Sequence, residues 1–266
     1  MKYKVFISDY DGTLGGWNGI EGETVKAVKE FERRGGKFVV CTGRMYKNIK
    51  SICDKFDIAE VISSYQGARI NERISGKTIY ASQIPDDLAI DVLNYVKDLP
   101  VKPIVFADDA LHYSEESVYI GVYRNADGVT LFRENDLVKG IEEKKFCAYK
   151  IVVVCDGITP DEFIKEYGGR YKDRLIVNSG GSIIAEFVNP ACSKGAAIRF
   201  LAKYYGVSCD EILAVGDSSN DLEMMNGEWH GVAVGDGFDG LKAIADEITV
   251  PFSEKPVKYL LEKYCL

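Results

Sequence analysis

Short apolar runs alternate, at both ends of the chain, with longer stretches whose apolar positions recur every three or four residues. Val5-Phe6-Ile7 is such a run and predicts a buried strand. Glu23 to Arg34 carries Val25, Val28 and Phe31 on one helical face and stops at Gly35-Gly36. Lys37 to Cys41 predicts a second strand, and Tyr46 to Phe56 a second helix through Ile49, Ile52, Cys53 and Phe56. A third strand is expected near Val61-Ile62. Strand–helix alternation of this kind predicts parallel strands joined by right-handed crossovers.

From about Arg69 the pattern changes. Asn71 to Tyr80 reads as a hairpin, and Pro85-Asp86 opens a helix bearing Leu88, Val92, Tyr95 and Val96. Strands are then expected at Pro103–Ala107, His112–Tyr113, Tyr119–Tyr123, Ala148–Val154 and Leu175–Asn178, interrupted by a helix from Pro160 to Tyr167. Successive strands predict an antiparallel sheet with helices on one face. Alternation returns with a helix capped by Ser193 that runs to Tyr205 and ends at Gly206. It continues through the strand Ile212–Val215, a helix from Asn220 to Met225, a strand at Val232–Val234, a helix near Asp239–Ala245, a strand at Ile248–Val250 and a last helix from Pro256 to Tyr264. The expected fold is therefore α/β: a three-layer, Rossmann-like core with a mainly parallel sheet, formed by residues 1–82 and 187–266. Residues 83–186 would be an inserted α+β domain.

Composition narrows the class. The 266 residues are 46 % hydrophobic and 28 % charged, with no apolar run approaching the ~20 residues of a membrane span. Met1-Lys2-Tyr3-Lys4 leads directly into the first strand, so no signal peptide is expected. The seven cysteines are scattered without a Cys-x-x-Cys pair and only two histidines accompany them. That disfavours a disulfide framework and a zinc site, and predicts a cytoplasmic protein. A net charge of −8 counts against nucleic acid as a partner and requires local positive charge if the ligand is an anion. His112 and His230 lie in no motif and read as structural.

Candidate chemistry gathers in the loops that follow a strand or open a helix. Asp9 and Asp11 follow the first strand at the i, i+2 spacing that directs both to one side, and Gly12 permits a sharp turn. Two carboxylates at the mouth of a sheet repel unless a cation is present, so a divalent metal is expected. The same residues could form no more than a polar turn, for which Asp and Gly are well suited. Three further clusters share this address: Thr42-Gly43-Arg44, Ser193-Lys194-Gly195 and Gly216-Asp217-Ser218-Ser219-Asn220-Asp221. Thr42 could cap the next helix, Lys194 could be a surface lysine, and Asn220 and Asp221 could be helix-start residues. Arg44 could be an ion-pair partner. Asp217, closing a buried strand, is harder to explain as structural.

Taken together, Asp-x-Asp-Gly-Thr-Leu and Gly-Asp-x-x-Asn-Asp-x-x-Met, with the two intervening clusters, resemble the motifs of the haloacid dehalogenase superfamily of phosphotransferases. Within it, the chain is most similar to the Cof-type group, which has a large C2-type cap inserted between the second and third motifs. The Gly231–Gly235 and Lys242–Asp246 stretches also resemble that group. The resemblance implies that Asp9 attacks phosphorus to form an aspartyl-phosphate and that Asp11 serves as general acid, then base. It implies a magnesium ion held by the Asp9 carboxylate, the Asp11 carbonyl and the Asp217 carboxylate. Thr42, the Gly43 amide, Lys194 and Asn220 would contact the phosphoryl group, and Asp221 would support the metal site or Lys194.

The expected activity is magnesium-dependent hydrolysis of a small phosphorylated metabolite, with a sugar phosphate as the default and a lid-like cap excluding water. No nucleic acid or membrane partner is expected, and no oligomeric state is assigned. A phosphomutase on the same core is the alternative, since phosphomannomutases share these motifs. Tyr113, Glu115, Tyr123 and Asn178 are candidate specificity residues. Three departures stand out: Tyr10 where relatives carry Leu or Phe, Gln66-Gly67-Ala68 where Asn-Gly-Ala is usual, and Asp236-Gly237 in place of Asn-Ala. Tyr10 is expected to matter little, because its side chain points away from the two acids.

Overall fold

A computed structural model describes residues 2–16, 19–124 and 128–266. The chain begins β1 (Val5–Ser8), α1 (Gly22–Arg33), β2 (Lys37–Cys41), α2 (Tyr46–Phe56), β3 (Val61–Ser64), β4 (Arg69–Glu72) and β5 (Thr78–Ala81). It continues α3 (Asp86–Val96), β6 (Val101–Ala107), β7 (Ala110–Tyr113), α4 (Val118–Tyr123), β8 (Thr130–Arg133), α5 (Leu137–Glu142), β9 (Lys150–Cys155), α6 (Pro160–Tyr167), β10 (Ile176–Ser179) and β11 (Ile184–Val188). It closes with α7 (Lys194–Tyr205), β12 (Ile212–Gly216), α8 (Leu222–Met225), β13 (His230–Ala233), α9 (Asp239–Lys242), β14 (Glu247–Ile248) and α10 (Pro256–Tyr264). Two compact units result: Met1–Tyr80 with Ser193–Leu266, and Ala81–Cys192.

In the first unit, eight strands lie in the order β14-β13-β12-β1-β2-β3-β4-β5. β1 sits between β12 and β2 and is parallel to both, with Ile7 opposite Ala214 and Val39. β2 and β3 continue the parallel sense; β4 reverses it. The period-two alternation of each strand divides its side chains between two helical layers. Phe6, Phe38, Val40, Leu213 and Val215 pack with Val28 and Phe31 of α1, Ile49 of α2 and Leu260 of α10. Val5, Ile7, Val39, Ile212 and Ala214 pack with Ile198 and Leu201 of α7 and Met224 of α8. This explains why the strands read as continuous apolar runs: both faces are buried.

The second unit holds a six-stranded sheet, β10-β11-β9-β6-β7-β8. Its pairs are antiparallel except β7–β8, which is parallel. One face, with Val105, Ile151, Val153 and Phe187, packs against Leu88 and Val92 of α3, Ile141 of α5 and Phe163 of α6. The parallel pair accompanies a correction. Tyr119–Tyr123, read above as a strand, lies in the helix α4, where Ser117 Oγ accepts the N–H of Ile120 at 3.2 Å. The aromatic and β-branched composition favours a strand, but the cap and the packing of Tyr119 and Tyr123 over Phe106 select a helical turn. A helix between two strands forms the crossover that parallel pairing needs. β8, β11 and α5 were not anticipated.

Smaller differences concern the C-terminal third. The segment read as one helix from Asn220 begins as a 3-10 turn, Ser219–Asp221, before α8. The strand expected at Ile248–Val250 pairs only over Glu247–Ile248. α9 stops at Lys242. Both histidines are engaged as side-chain partners, His112 Nδ1 with Glu134 at 2.8 Å and His230 Nδ1 with the Tyr3 hydroxyl at 2.7 Å.

Candidate active site

Parallel strands β1 and β12 end side by side, and each delivers an acid from its C-terminal edge. Asp9 follows β1, its N–H donating to the Val215 carbonyl at 2.9 Å, and Asp217 follows β12. Thr42 follows β2, next in the sheet, and is buried. Lys194 comes from the first turn of α7, beneath the Ser193 cap, whose Oγ accepts the N–H of Ala196 at 3.0 Å. Open parallel sheets expose this edge to ligands.

Lys194 is the centre of the cluster. Its Nζ donates to Asp9 Oδ1 at 2.6 Å, to Asp221 Oδ1 at 2.5 Å and to Asn220 Oδ1 at 3.4 Å. Asp9, Lys194 and Asp221 are all buried, so the lysine is not a solvated first-turn side chain. Burial alone would lower its pKa, but Asp221 and Asp9 outweigh that and hold the ammonium charged. Burial pushes the Asp9 carboxyl well above the ordinary carboxylate range; Lys194 opposes the shift, while Asp221 and Asp217 add to it. Two buried acids face one lysine here, with Asp217 close to both of them.

Asp221 supports the loop as well as the lysine. Its Oδ2 accepts the N–H groups of Asp217 and Ser218, both at 3.0 Å. With Oδ1 on Lys194, both of its oxygens are occupied. Asp217 is half-buried, and its Oδ1 accepts from Thr13 Oγ1 at 2.8 Å. Burial raises its carboxyl, against the Thr13 hydrogen bond. Oxygens of Asp9, Asp217 and Asp221 lie within 4.8 Å of one another. Since Asp221 is committed elsewhere, Asp9 and Asp217 are the carboxylates able to hold a cation. An all-oxygen set suits a hard divalent ion. A Cβ at Gly12 would fall 2.6 Å from Asp217 Oδ2, and the Gly12 φ of +76° independently favours glycine.

Thr42 does not cap α2, which has no side-chain cap; its Oγ1 accepts the N–H of Arg44 at 3.2 Å. Gly43 lies under the amide of Gln66, where a Cβ would fall 2.5 Å from Gln66 Nε2. Asp11 is held by Arg44, with Nε on Oδ2 at 2.8 Å and Nη2 on Oδ1 at 2.6 Å. The guanidinium lies 4.6 Å from the Tyr10 ring centroid, so Tyr10, expected to matter little, is the floor under the arginine that grips Asp11. The role of Thr13 in holding Asp217 was also missed, although its place in Asp-x-Asp-Gly-Thr was the available signal. In the second unit, Tyr113 is buried and donates to Glu116, whereas Glu115 and Asn178 are exposed and Tyr123 is half-buried.

Residues 6–261 match the family model for haloacid dehalogenase-like hydrolases. The chain is 27 % identical to a chloroplastic endoribonuclease YBEY of Arabidopsis thaliana over 99 % of its own length, but spans only 47 % of that longer protein. It is 24 % identical to the Bacillus subtilis 5-amino-6-(5-phospho-D-ribitylamino)uracil phosphatase YitU, covering 96 % of this chain and 95 % of that one. A solved structure from Thermotoga maritima superposes with a TM-score of 0.85 at 27 % identity, covering 98 % of this chain and 97 % of that one. The chain belongs to the haloacid dehalogenase-like hydrolases, the family whose Cof-type members its motifs resemble.

Proposed function

We propose that this protein is a magnesium-dependent phosphatase that hydrolyses a small phosphomonoester through an aspartyl-phosphate on Asp9. The observation that carries this reading is the buried Asp9–Lys194–Asp221 array beside Asp217, at the C-terminal ends of two adjacent parallel strands. An Asp9 oxygen attacks phosphorus, the bond from phosphorus to the substrate oxygen breaks, and Asp11 gives that oxygen its proton. Water then attacks the phosphorus of the aspartyl-phosphate; Asp11 takes the water's proton, and the Asp9 carboxylate leaves. Lys194, Thr42, the Gly43 amide and Asn220 orient the phosphoryl oxygens and offset their charge.

A magnesium ion, held by the Asp9 and Asp217 carboxylates and the Asp11 carbonyl, would supply positive charge beside the transferring group. The residues fit it: two carboxylates with oxygens to spare, one of them cradled by a glycine. The small substrate is supported by YitU, named for a phosphorylated metabolite. A sugar phosphate remains the default class. Residues 83–186 are assigned the selection of substrate, with Tyr113, Glu115, Tyr123 and Asn178 as the side chains to vary.

Magnesium-dependent release of phosphate from p-nitrophenyl phosphate tests the reading. Asp9→Asn should abolish turnover while the protein stays folded. Retained turnover would reject Asp9 as nucleophile, and conversion of a hexose phosphate to an isomer without phosphate release would favour the phosphomutase.

A further inference from the structure

The contact between Arg44 and Asp11 has a geometry that an ordinary surface ion pair lacks. Asp11 stands on a Gly-Thr turn with its side chain 54 % exposed, so little packing fixes its rotamer. Two parallel N–H···O bonds at 2.8 and 2.6 Å set the plane of its carboxylate. Arg44 is fixed in turn on two other sides: Nη1 donates to Asn48 Oδ1 at 3.2 Å, and the guanidinium stacks on Tyr10. Tyr10 is fully buried, with its hydroxyl directed at the Gly16 carbonyl at 3.4 Å. Tyr10 and Asp11 are neighbours in sequence whose side chains diverge, and Arg44, arriving from the end of β2, links them.

An exposed ion pair contributes little to stability, so the value of this one lies in orientation. A general acid or base works only within hydrogen-bond reach of its proton partner and at a set angle. Lysine could not replace this arginine, because a point charge neither forks onto a carboxylate nor stacks on a ring. We propose that Arg44 is the positioning residue for Asp11, and that Tyr10 is the rigid support that holds Arg44 in register. The proposal rests on the phosphatase reading, in which Asp11 exchanges a proton with the leaving group. It also gives the Tyr10 departure a purpose that an aliphatic residue could not serve.

Leaving-group dependence tests it. An alkoxide needs a proton as it departs, whereas p-nitrophenolate is stable without one, so loss of Asp11 alignment must fall mainly on alkyl phosphates. Values of kcat/KM are measured with magnesium for p-nitrophenyl phosphate and for the fastest alkyl phosphomonoester of a metabolite panel. Arg44→Lys should lose about tenfold or more on the alkyl phosphate and less than about threefold on p-nitrophenyl phosphate. Tyr10→Leu should show the same asymmetry, and Tyr10→Phe, which keeps a ring face, a smaller one. In an Asp11→Asn background, Arg44→Lys should cost little more. Thermal midpoints accompany each variant, and Tyr10→Leu, with Arg44 in place, carries the test if Arg44→Lys does not fold. Equal losses on both substrates, no loss, or an undiminished effect in the Asp11→Asn background would overturn the assignment and leave the phosphatase reading intact. A wild-type protein that releases no phosphate from any phosphomonoester would overturn both.

Discussion

Glu32 shows how a single residue sets a pH dependence away from the candidate site. Its Oε1 accepts the Ala59 N–H at 3.0 Å, and burial raises the carboxyl from 4.5 to about 7, with Asp57 and Glu60 adding to the shift and Arg73 opposing it. The folded-state pKa of this acid lies above its unfolded value, so between pH 4.5 and 7 the folded chain binds the extra proton. The contribution of Glu32 to stability is therefore fullest below about 4.5 and declines as pH rises towards 7. The penalty at pH 8 is bounded by about 3 kcal/mol and reduced by the water that reaches this half-buried group. Glu32→Gln keeps an acceptor for Ala59 and removes the charge. Chemical denaturation should find the variant more stable than wild type at pH 8 and nearly equal to it at pH 4.5; an equal difference at both would reject the account. Nothing in the pattern around Glu32 marks it, because its burial is decided by the loop 57–60, not by its own helix.

Individual elements carry a different kind of constraint. The turn after β3 takes Tyr65 and Gln66 to φ values of +52° and +59° and Gly67 to +96°. A Cβ at Gly67 would fall 2.3 Å from the Ser193 carbonyl, the residue that caps α7 and so aims Lys194. Gly67→Ala should therefore cost about 1–3 kcal/mol through backbone strain and also lower kcat, since α7 must shift. Thermal unfolding and phosphate release measure the two effects, and an unchanged midpoint would reject the strain. Most elements were legible where both faces of a strand are buried or one helix face is apolar, as at β1, β2, β12, α2 and α10. The failure at α4 has a plain cause: Val118–Tyr123 has strand composition, and its Ser117 cap and Phe106 platform are contacts that composition does not encode.

For the molecule as a whole, charge and the proposed metal site are linked. A chain of net charge −8 with buried acids facing one lysine carries surplus negative charge at the edge of its first sheet. A cation that binds the folded state and not the unfolded one stabilises it by about 2.7 kcal/mol at a hundred times its Kd. Magnesium should raise the thermal midpoint of wild type, and Asp217→Asn should remove that rise. A chelator should abolish phosphate release, and added magnesium should restore it. No midpoint shift in the wild type would count against the ion site. Among the described residues, no helix is long and apolar enough to cross a membrane.

The alternation of apolar runs and amphipathic stretches, which depends only on local periodicity, determined the α/β class and the succession of elements in the first unit. The position of polar clusters in loops that follow a strand or open a helix likewise brought Asp9, Asp11, Thr42, Lys194, Asp217 and Asp221 to notice without any structure. Only the tertiary structure decided their partners. That Lys194 lies between Asp9 and Asp221, that Thr13 holds Asp217, and that Arg44 bridges Tyr10 and Asp11 depends on which strands are neighbours. Neighbouring strands such as β1 and β12 are more than 200 residues apart in the chain, and no local pattern encodes a contact over that distance. Asp9 and Asp11 could be read as two acids of a polar turn until the sheet brought β12 against β1 and put a lysine between buried carboxylates.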